Sequence, residues 1–161
     1  MSKLQNIYLV RHGQSTANVN KAVHYELPDH AIPLSDLGHR QATAAGQALN
    51  NIINFEELEA GKIRIWTSPY LRTRQTANDL EAALHPHIRE LLAPRSENIA
   101  LCEQQFGLFD GIEDEDLPNR FPLEHAHYKL AEDHEGKFWP RMPMGESRFD
   151  VAMRVLSLIH I

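Results

Sequence analysis

The feature that most constrains this chain is a short apolar run, Ile7 to Val10, that leads directly into Arg11, His12 and Gly13. The run has the length and composition of a buried β-strand, and Gly13 allows the backbone to turn sharply as His12 leaves the sheet. In an open α/β sheet, ligands bind at the carboxyl ends of the strands. The sequence therefore predicts an α/β fold with Arg11 and His12 at a ligand site, although a surface histidine at a strand end would give the same pattern.

Apolar spacing and capping residues predict the other elements. Three helices are expected, from Ser35 or Asp36 to about Ile53, from a Ser68 cap to Leu84, and from Glu146 to His160. A short run that is β-branched in part predicts a strand at 63–66. A third strand is expected at 88–91, and a further helix within 120–132. The proline-containing stretch 93–141 is expected to be a long excursion that covers the site.

Composition bounds the classes of function that remain. A chain of 161 residues with 42% hydrophobic and 24% charged residues suits one globular domain. The net charge of −6 argues against a nucleic-acid surface, and no apolar stretch approaches the roughly 18 residues that a membrane span needs. A single cysteine, Cys102, cannot form an internal disulfide, so a cytoplasmic protein is expected.

Five segments, in order along nearly the whole chain, together resemble the histidine phosphatase superfamily, which includes the cofactor-dependent phosphoglycerate mutases. They are Arg11-His12-Gly13 with Asn18, the stretch 34–42, the stretch 67–77 with Arg72, the stretch 101–107 with Glu103, and Pro143-Met144-Gly145-Glu146-Ser147. The resemblance implies a three-layer α/β/α fold of the phosphoglycerate mutase-like type, with a mostly parallel sheet and a single domain over 1–161.

The resemblance also implies the chemistry of the site. His12 would attack phosphorus as a neutral imidazole and form a phosphohistidine, since an ordinary histidine side chain has a pKa of about 6.5. Arg11 and Arg72 would grip the phosphoryl oxygens as catalytic and substrate-binding residues, because guanidinium groups stay charged and donate in pairs. Gly13 and Asn18 would complete the phosphate cradle, and Glu103 would protonate the leaving oxygen.

These residues are expected to converge on one pocket for a small phosphorylated substrate, with no cofactor, metal, nucleic acid or membrane involved. Two histidine pairs, His85 with His87 and His125 with His127, have a spacing that could recruit a metal. Neither has a third ligand at a recognisable spacing, so no metal site is predicted.

One family element has no counterpart in this sequence. The family supplies a second pocket histidine from a late strand that ends in His-Gly, whereas the one histidine after Gly145-Glu146-Ser147 is His160, which falls at helical spacing. The domain is therefore expected to be incomplete at its C-terminus and to lack the C-terminal strand. An exposed sheet edge of this kind favours association into a homo-oligomer.

The leading functional interpretation is a phosphatase of small phosphomonoesters, impaired in this short form. One alternative is a phosphotransferase of the phosphoglycerate mutase type, and another is a non-catalytic module that binds phosphate esters. Mutases of the family carry a Gly-Trp-x-Asp element where this chain has His30-Ala31-Ile32-Pro33, and this difference favours the phosphatase.

Overall fold

The computed structural model describes residues 6–54, 58 and 62–160, with 159 and 160 described by their backbone. The chain divides into two compact units, Met1–Asn98 and Ile99–Ile161. Over the described ranges, no helix combines the length and the apolar character that crossing a bilayer requires.

The first unit is built on two long helices and a short parallel sheet. In chain order its elements are α1 (Thr16–Val19), α2 (Val23–Glu26), a 3-10 helix (Asp29–Ala31), α3 (Asp36–Leu49), β1 (Trp66–Thr67), α4 (Leu71–Ala83), α5 (Pro86–Glu90) and β2 (Ser96–Glu97). Helix α3 lies close against α4, because a Cβ atom on Gly46 would come within 2.3 Å of the Leu80 carbonyl oxygen. Leu80 then packs with Leu84 and the fully buried Ile88 in the core.

The starts of α3 and α4 test the predicted capping residues. The Ser35 hydroxyl accepts a hydrogen bond from the Gly38 N–H at 3.2 Å, which confirms Ser35 as the N-cap of α3. The predicted cap of α4 is wrong, since this helix begins at Leu71 after Tyr70, with no side-chain cap. The Ser68 hydroxyl instead accepts from the Tyr70 N–H at 3.3 Å, in the turn before the helix.

The sheet is parallel and consists of β1 and β2, with Trp66 opposite Ser96 and Thr67 opposite Glu97. A single bridge between Ile63 and Leu92 extends it, so the predicted strand at 63–66 is confirmed in part. The predicted strand at 88–91 is wrong, because this stretch belongs to α5 and to the turn after it. Pro86 occupies the first position of α5, where its fixed φ favours a helix start, and Ile88 is the buried residue of this helix.

The first apolar run also differs from its prediction. Residues 6–14 are irregular, and the first backbone bridge is an antiparallel one between Ser15 and Leu34. Leu9 is 95% exposed and Ile7 is 65% exposed, so the prediction of a buried strand at Ile7–Val10 is wrong for this structure. A strand is stabilised by a hydrogen-bonded neighbour, and none of the described residues pairs with this run.

The second unit is mostly helical. Its elements are a 3-10 helix (Ile99–Leu101), a 3-10 helix (Gly107–Phe109), α6 (Leu117–Arg120), α7 (Pro122–Glu135), α8 (Arg148–Leu156) and a 3-10 helix (Ser157–His160). The helix predicted within 120–132 is confirmed as α7, and the last predicted helix begins two residues later than expected, at Arg148. Ser147 and Asp150 form a capping box at its start.

Candidate active site

The loop after the first apolar run lies directly against the start of α3. A Cβ atom on Gly13 would come within 2.3 Å of the Gly38 carbonyl oxygen, and one on Gly38 within 2.1 Å of the Gln14 carbonyl oxygen. The two backbones can approach this closely only because both residues lack a side chain. The Gln14 N–H is held by the Gln41 side chain at 2.8 Å, which fixes the loop to the same helix.

His12 is oriented by the backbone of its own loop. Its Nδ1 atom lies 2.7 Å from the Gly13 carbonyl oxygen. A carbonyl oxygen can only accept, so Nδ1 carries the hydrogen and the Nε2 atom of a neutral ring holds the lone pair. The arrangement leaves the lone pair of the neutral ring on Nε2.

The same loop is tied to α4 through Thr76. The Gly13 N–H donates to Thr76 Oγ1 at 3.2 Å, and this hydroxyl donates to the Arg72 carbonyl oxygen at 2.8 Å. A cavity of about 220 Å³ lies between the loop, α3 and α4. It is lined by Val10, Arg11, His12, Gly13, Gln41, Ala42, Ala45 and Thr76.

The structure therefore brings Arg11, His12 and Gly13 to one cavity. Arg72 lies one helical turn before Thr76 but does not line this cavity. Asn18 is exposed, and its side-chain oxygen accepts from the Ser15 N–H at 2.9 Å as part of the capping box of α1.

Arg72 has a carboxylate partner that sequence reasoning missed. Its side chain is 5% exposed, and its Nη1 and Nη2 atoms donate to the two carboxylate oxygens of Asp29 at 2.9 and 3.2 Å. Nη1 also donates to the Asp29 backbone carbonyl at 2.6 Å. The guanidinium carbon stands 4.9 Å from the centre of the Tyr70 ring, so a cation–π contact holds the group as well.

Glu103 belongs to the second unit and is exposed, and Arg154 of α8 binds backbone carbonyls of the stretch around it. Arg154 donates to the Ala100 carbonyl at 2.5 Å and to the Glu103 carbonyl at 3.1 Å. It also forms two hydrogen bonds with the Glu146 carboxylate, at 3.0 and 3.1 Å, which hold the pKa of that carboxyl below its usual value. Glu146 in turn accepts from the Gln105 N–H at 3.0 Å, so both ends of the Glu103 segment are fixed.

Replacing Arg154 by alanine is expected to destabilise the second unit by about 2 kcal/mol, because two carbonyls and the Glu146 carboxylate lose their donor. Amide hydrogen exchange over 102–105 should accelerate in the same variant. Urea denaturation and exchange measured by mass spectrometry test both effects. Arg141→Ala is the matched control, since Arg141 is an exposed arginine paired with one carboxylate, Asp150, and its loss should change little. Equal effects of the two substitutions would show that the hydrogen bonds of Arg154 do not hold the Glu103 segment in place.

Several contacts of the site could not be assigned from the sequence. Thr76, Gln41 and Gln75 lie within or beside the quoted motifs, and the Gln75 side-chain oxygen accepts from the Leu34 N–H at 2.8 Å. Their positions within the motifs could have marked them as candidate site residues. The sequence did not indicate which backbone groups their side chains bind. Asp29 lies 43 residues before Arg72, and no local pattern joins the two.

The candidate metal-binding histidines have other neighbours. His85 Nδ1 accepts from the His87 N–H at 3.4 Å, and the His125 ring packs 6.4 Å from that of Phe109. Within the part of the chain that the structure describes, no group of three histidine, cysteine or acidic side chains could hold a metal ion.

These features define an α/β protein in which Arg11 and His12 line one cavity beside the long helices of the first unit. A family model of the histidine phosphatase superfamily (branch 1) matches residues 7–160, and the chain belongs to this superfamily of enzymes. The expected α/β fold class and the family resemblance are thereby confirmed.

The individual proteins that this chain resembles are named for several different activities. The phosphoglycerate mutase-like protein AT74H of Arabidopsis thaliana is 30% identical over 161 residues, which cover 96% of this chain and 52% of that protein. The 6-phosphofructo-2-kinase/fructose-2,6-bisphosphatase of Caenorhabditis elegans is 31% identical over 156 residues, covering 96% and 28% of the two chains. A mycobacterial glucosyl-3-phosphoglycerate phosphatase, solved with inorganic phosphate, superposes with a TM-score of 0.58 at 26% identity, covering 92% and 58%. The chain thus spans about half the length of the Arabidopsis relative.

Proposed function

We propose that this protein is a phosphatase of small phosphomonoesters that works through a phosphohistidine on His12. The observation that carries the proposal is the hydrogen bond from Nδ1 of His12 to the Gly13 carbonyl, which orients Nε2 as the nucleophile in a cavity that Arg11 also lines. Membership of a superfamily that includes phosphatases supports the same reaction.

In the first step the Nε2 lone pair attacks phosphorus, an N–P bond forms and the ester P–O bond breaks. The leaving alkoxide takes a proton, which we assign to the Glu103 carboxylic acid. In the second step water attacks phosphorus and gives a proton back to Glu103, and the N–P bond breaks to release phosphate and neutral His12. Arg11 and Arg72 balance the charge on the phosphoryl oxygens in both steps.

The test is to trap the intermediate. The protein is mixed with a ³²P-labelled phosphomonoester, quenched in alkali, which preserves phosphohistidine, and digested for peptide mapping. Label on the peptide that contains His12 is the expected result, and the His12→Asn chain should stay unlabelled. Label on Ser15 or Cys102 would refute the assignment of the nucleophile.

A mutase is the second candidate, because the Arabidopsis relative is named phosphoglycerate mutase-like. The same labelled intermediate separates the two activities. In a phosphatase the label passes to water whether or not a phosphoglycerate is present, whereas in a mutase added phosphoglycerate takes up the label. We expect transfer to water.

We also propose that this chain forms homo-oligomers through its first apolar run. Leu9 and Ile7 are among the exposed large apolar residues, and none of the described residues pairs with this run. Pairing with another copy would bury its side chains and engage its backbone groups. Light scattering coupled to size exclusion should show dimers or larger species, and Leu9→Lys should shift the population to monomer. Ile99→Lys, at another exposed apolar position, is the control and should leave the mass unchanged. A monomeric parent chain at high concentration would contradict the proposal.

A further inference from the structure

Arg72, one of the two arginines assigned to the phosphoryl group, is already held by an anion of the chain itself. We propose that Asp29 is an internal competitor of the substrate: its carboxylate occupies Arg72 and sets the affinity of the site for phosphate esters. This inference rests on the proposed function, in which Arg72 binds the phosphoryl group.

The geometry of the pair is that of bidentate anion recognition. Two oxygens of one carboxylate meet Nη1 and Nη2 at 2.9 and 3.2 Å, in the parallel arrangement that a guanidinium offers equally to carboxylate and to phosphate. These are the donors that a phosphoryl group needs from Arg72. The substrate and the Asp29 carboxylate therefore cannot both bind this edge of the guanidinium at the same time.

The burial of the two partners is unequal, and this inequality favours exchange. The Arg72 side chain is 5% exposed, whereas that of Asp29 is 32% exposed. The carboxylate can turn into water without crossing the core, while the guanidinium keeps its contact with the Tyr70 ring. Arg72 is thus preformed for an anion, and Asp29 is the removable member of the pair.

The local chain also permits this movement. Asp29 lies at the start of a three-residue 3-10 helix that follows Pro28 and leads into Ile32. Ile32 is almost fully buried and anchors the segment, while Tyr25 and Leu27 before it are exposed. Loss of the Asp29 contact would therefore disturb a short surface turn and leave the core in place.

Charge decides the direction of the exchange. A phosphomonoester carries about two negative charges and three acceptor oxygens, against one charge and two oxygens on Asp29. A phosphoryl group can therefore displace the carboxylate, but its apparent affinity equals the intrinsic affinity multiplied by the fraction of molecules in which the pair is open. If the pair is closed in nine molecules of ten, removing the carboxylate tightens phosphate binding about tenfold.

The first experiment measures the Kd of inorganic phosphate by isothermal titration calorimetry. Asp29→Asn keeps the size of the side chain and removes its charge, and we expect a Kd about tenfold lower than in the parent chain. Glu90→Gln is the matched control, because it removes an exposed carboxylate of the same unit on α5, outside the residues that line the cavity. It should change the Kd by less than about twofold, the size expected of a screened surface charge.

A second experiment uses the unmodified chain, so that the result does not depend on the folding of a variant. The Ile32 N–H bonds the Asp29 carbonyl and the Ala31 N–H bonds the Pro28 carbonyl in the 3-10 turn. Saturation with phosphate should speed hydrogen exchange at these amides, although a bound ligand ordinarily protects. Slower or unchanged exchange would overturn the proposal.

The outcomes separate this inference from the proposed function. An Asp29→Asn chain that binds phosphate equally or more weakly shows that Asp29 positions Arg72, and competition is overturned even if His12 is labelled. If Asp29→Asn binds phosphate more tightly than the parent chain and the control variant does not, competition is supported, whether or not turnover is detected. If neither the parent nor Asp29→Asn binds phosphate and His12 takes no label, both the inference and the proposed function are overturned.

Discussion

Replacing His12 by alanine is expected to lower phosphatase turnover by about 10⁴-fold or more, because the proposed reaction loses its nucleophile and with it the covalent intermediate. The loop should keep its shape, since its contacts through Gly13 and Gln14 are made by backbone groups. Phosphate binding should therefore persist while turnover disappears. Steady-state assays beside calorimetric titration with phosphate measure the two effects separately.

His24→Ala is the control for this substitution, because His24 is an exposed histidine on α2 and its loss should leave turnover unchanged. Arg72→Ala provides a contrast, since it should lower turnover by about 10² to 10³-fold through lost stabilisation of the transition state. Retention of most activity by the His12→Ala chain would show that another side chain attacks phosphorus.

The sequence predicted the elements whose signals are local. The start of α3 follows from a serine cap, and α8 follows from an apolar stripe at helical spacing. The Arg11-His12-Gly13 loop was also recognisable, because its three residue types stand together in the chain. Local chemistry of this kind is present in any short window of the sequence.

The strands were predicted less well, because strands depend on neighbours distant in sequence. The run Ile7–Val10 has strand composition, yet no described residue pairs with it, and it lies exposed. The run at 88–91 has two apolar residues, Ile88 and Leu91, and Pro86 and the core contacts of Ile88 place it in α5. Composition therefore did not decide the backbone conformation of either run, because a strand also needs a pairing partner.

In the candidate site, too, local features could be predicted from the sequence, whereas contacts between distant residues could not. The identity of Arg72 could be recognised from its motif, but its partner Asp29 lies on a separate surface turn and became visible only in three dimensions. The clamp by Arg154 on the Glu103 segment likewise joins residues 51 positions apart. The motifs therefore led to the proposed reaction, whereas the contacts that restrain these residues became visible only in the structure.

Replacing Gly38 by alanine is expected to destabilise the first unit by about 3 kcal/mol, a large part of the 5 to 15 kcal/mol that stabilises a typical domain. The new Cβ atom would lie 2.1 Å from the Gln14 carbonyl oxygen, and a backbone oxygen in a hydrogen-bonded loop cannot move aside alone. The loop must shift with it, which displaces His12 and weakens phosphate binding. Urea denaturation and calorimetric titration measure the two losses.

Gly46→Ala separates loss of stability from damage to the site. Its Cβ atom would lie 2.3 Å from the Leu80 carbonyl oxygen, so α3 must move from α4 and the stability cost should be similar. The clash is two helical turns away from Gly38 and does not meet the loop that carries His12, so the folded fraction should lose less phosphate affinity than the Gly38→Ala chain does. If Gly38→Ala and Gly46→Ala lose stability equally and both keep the parent Kd, then the close approach of α3 to the loop serves packing, and the position of His12 does not depend on it.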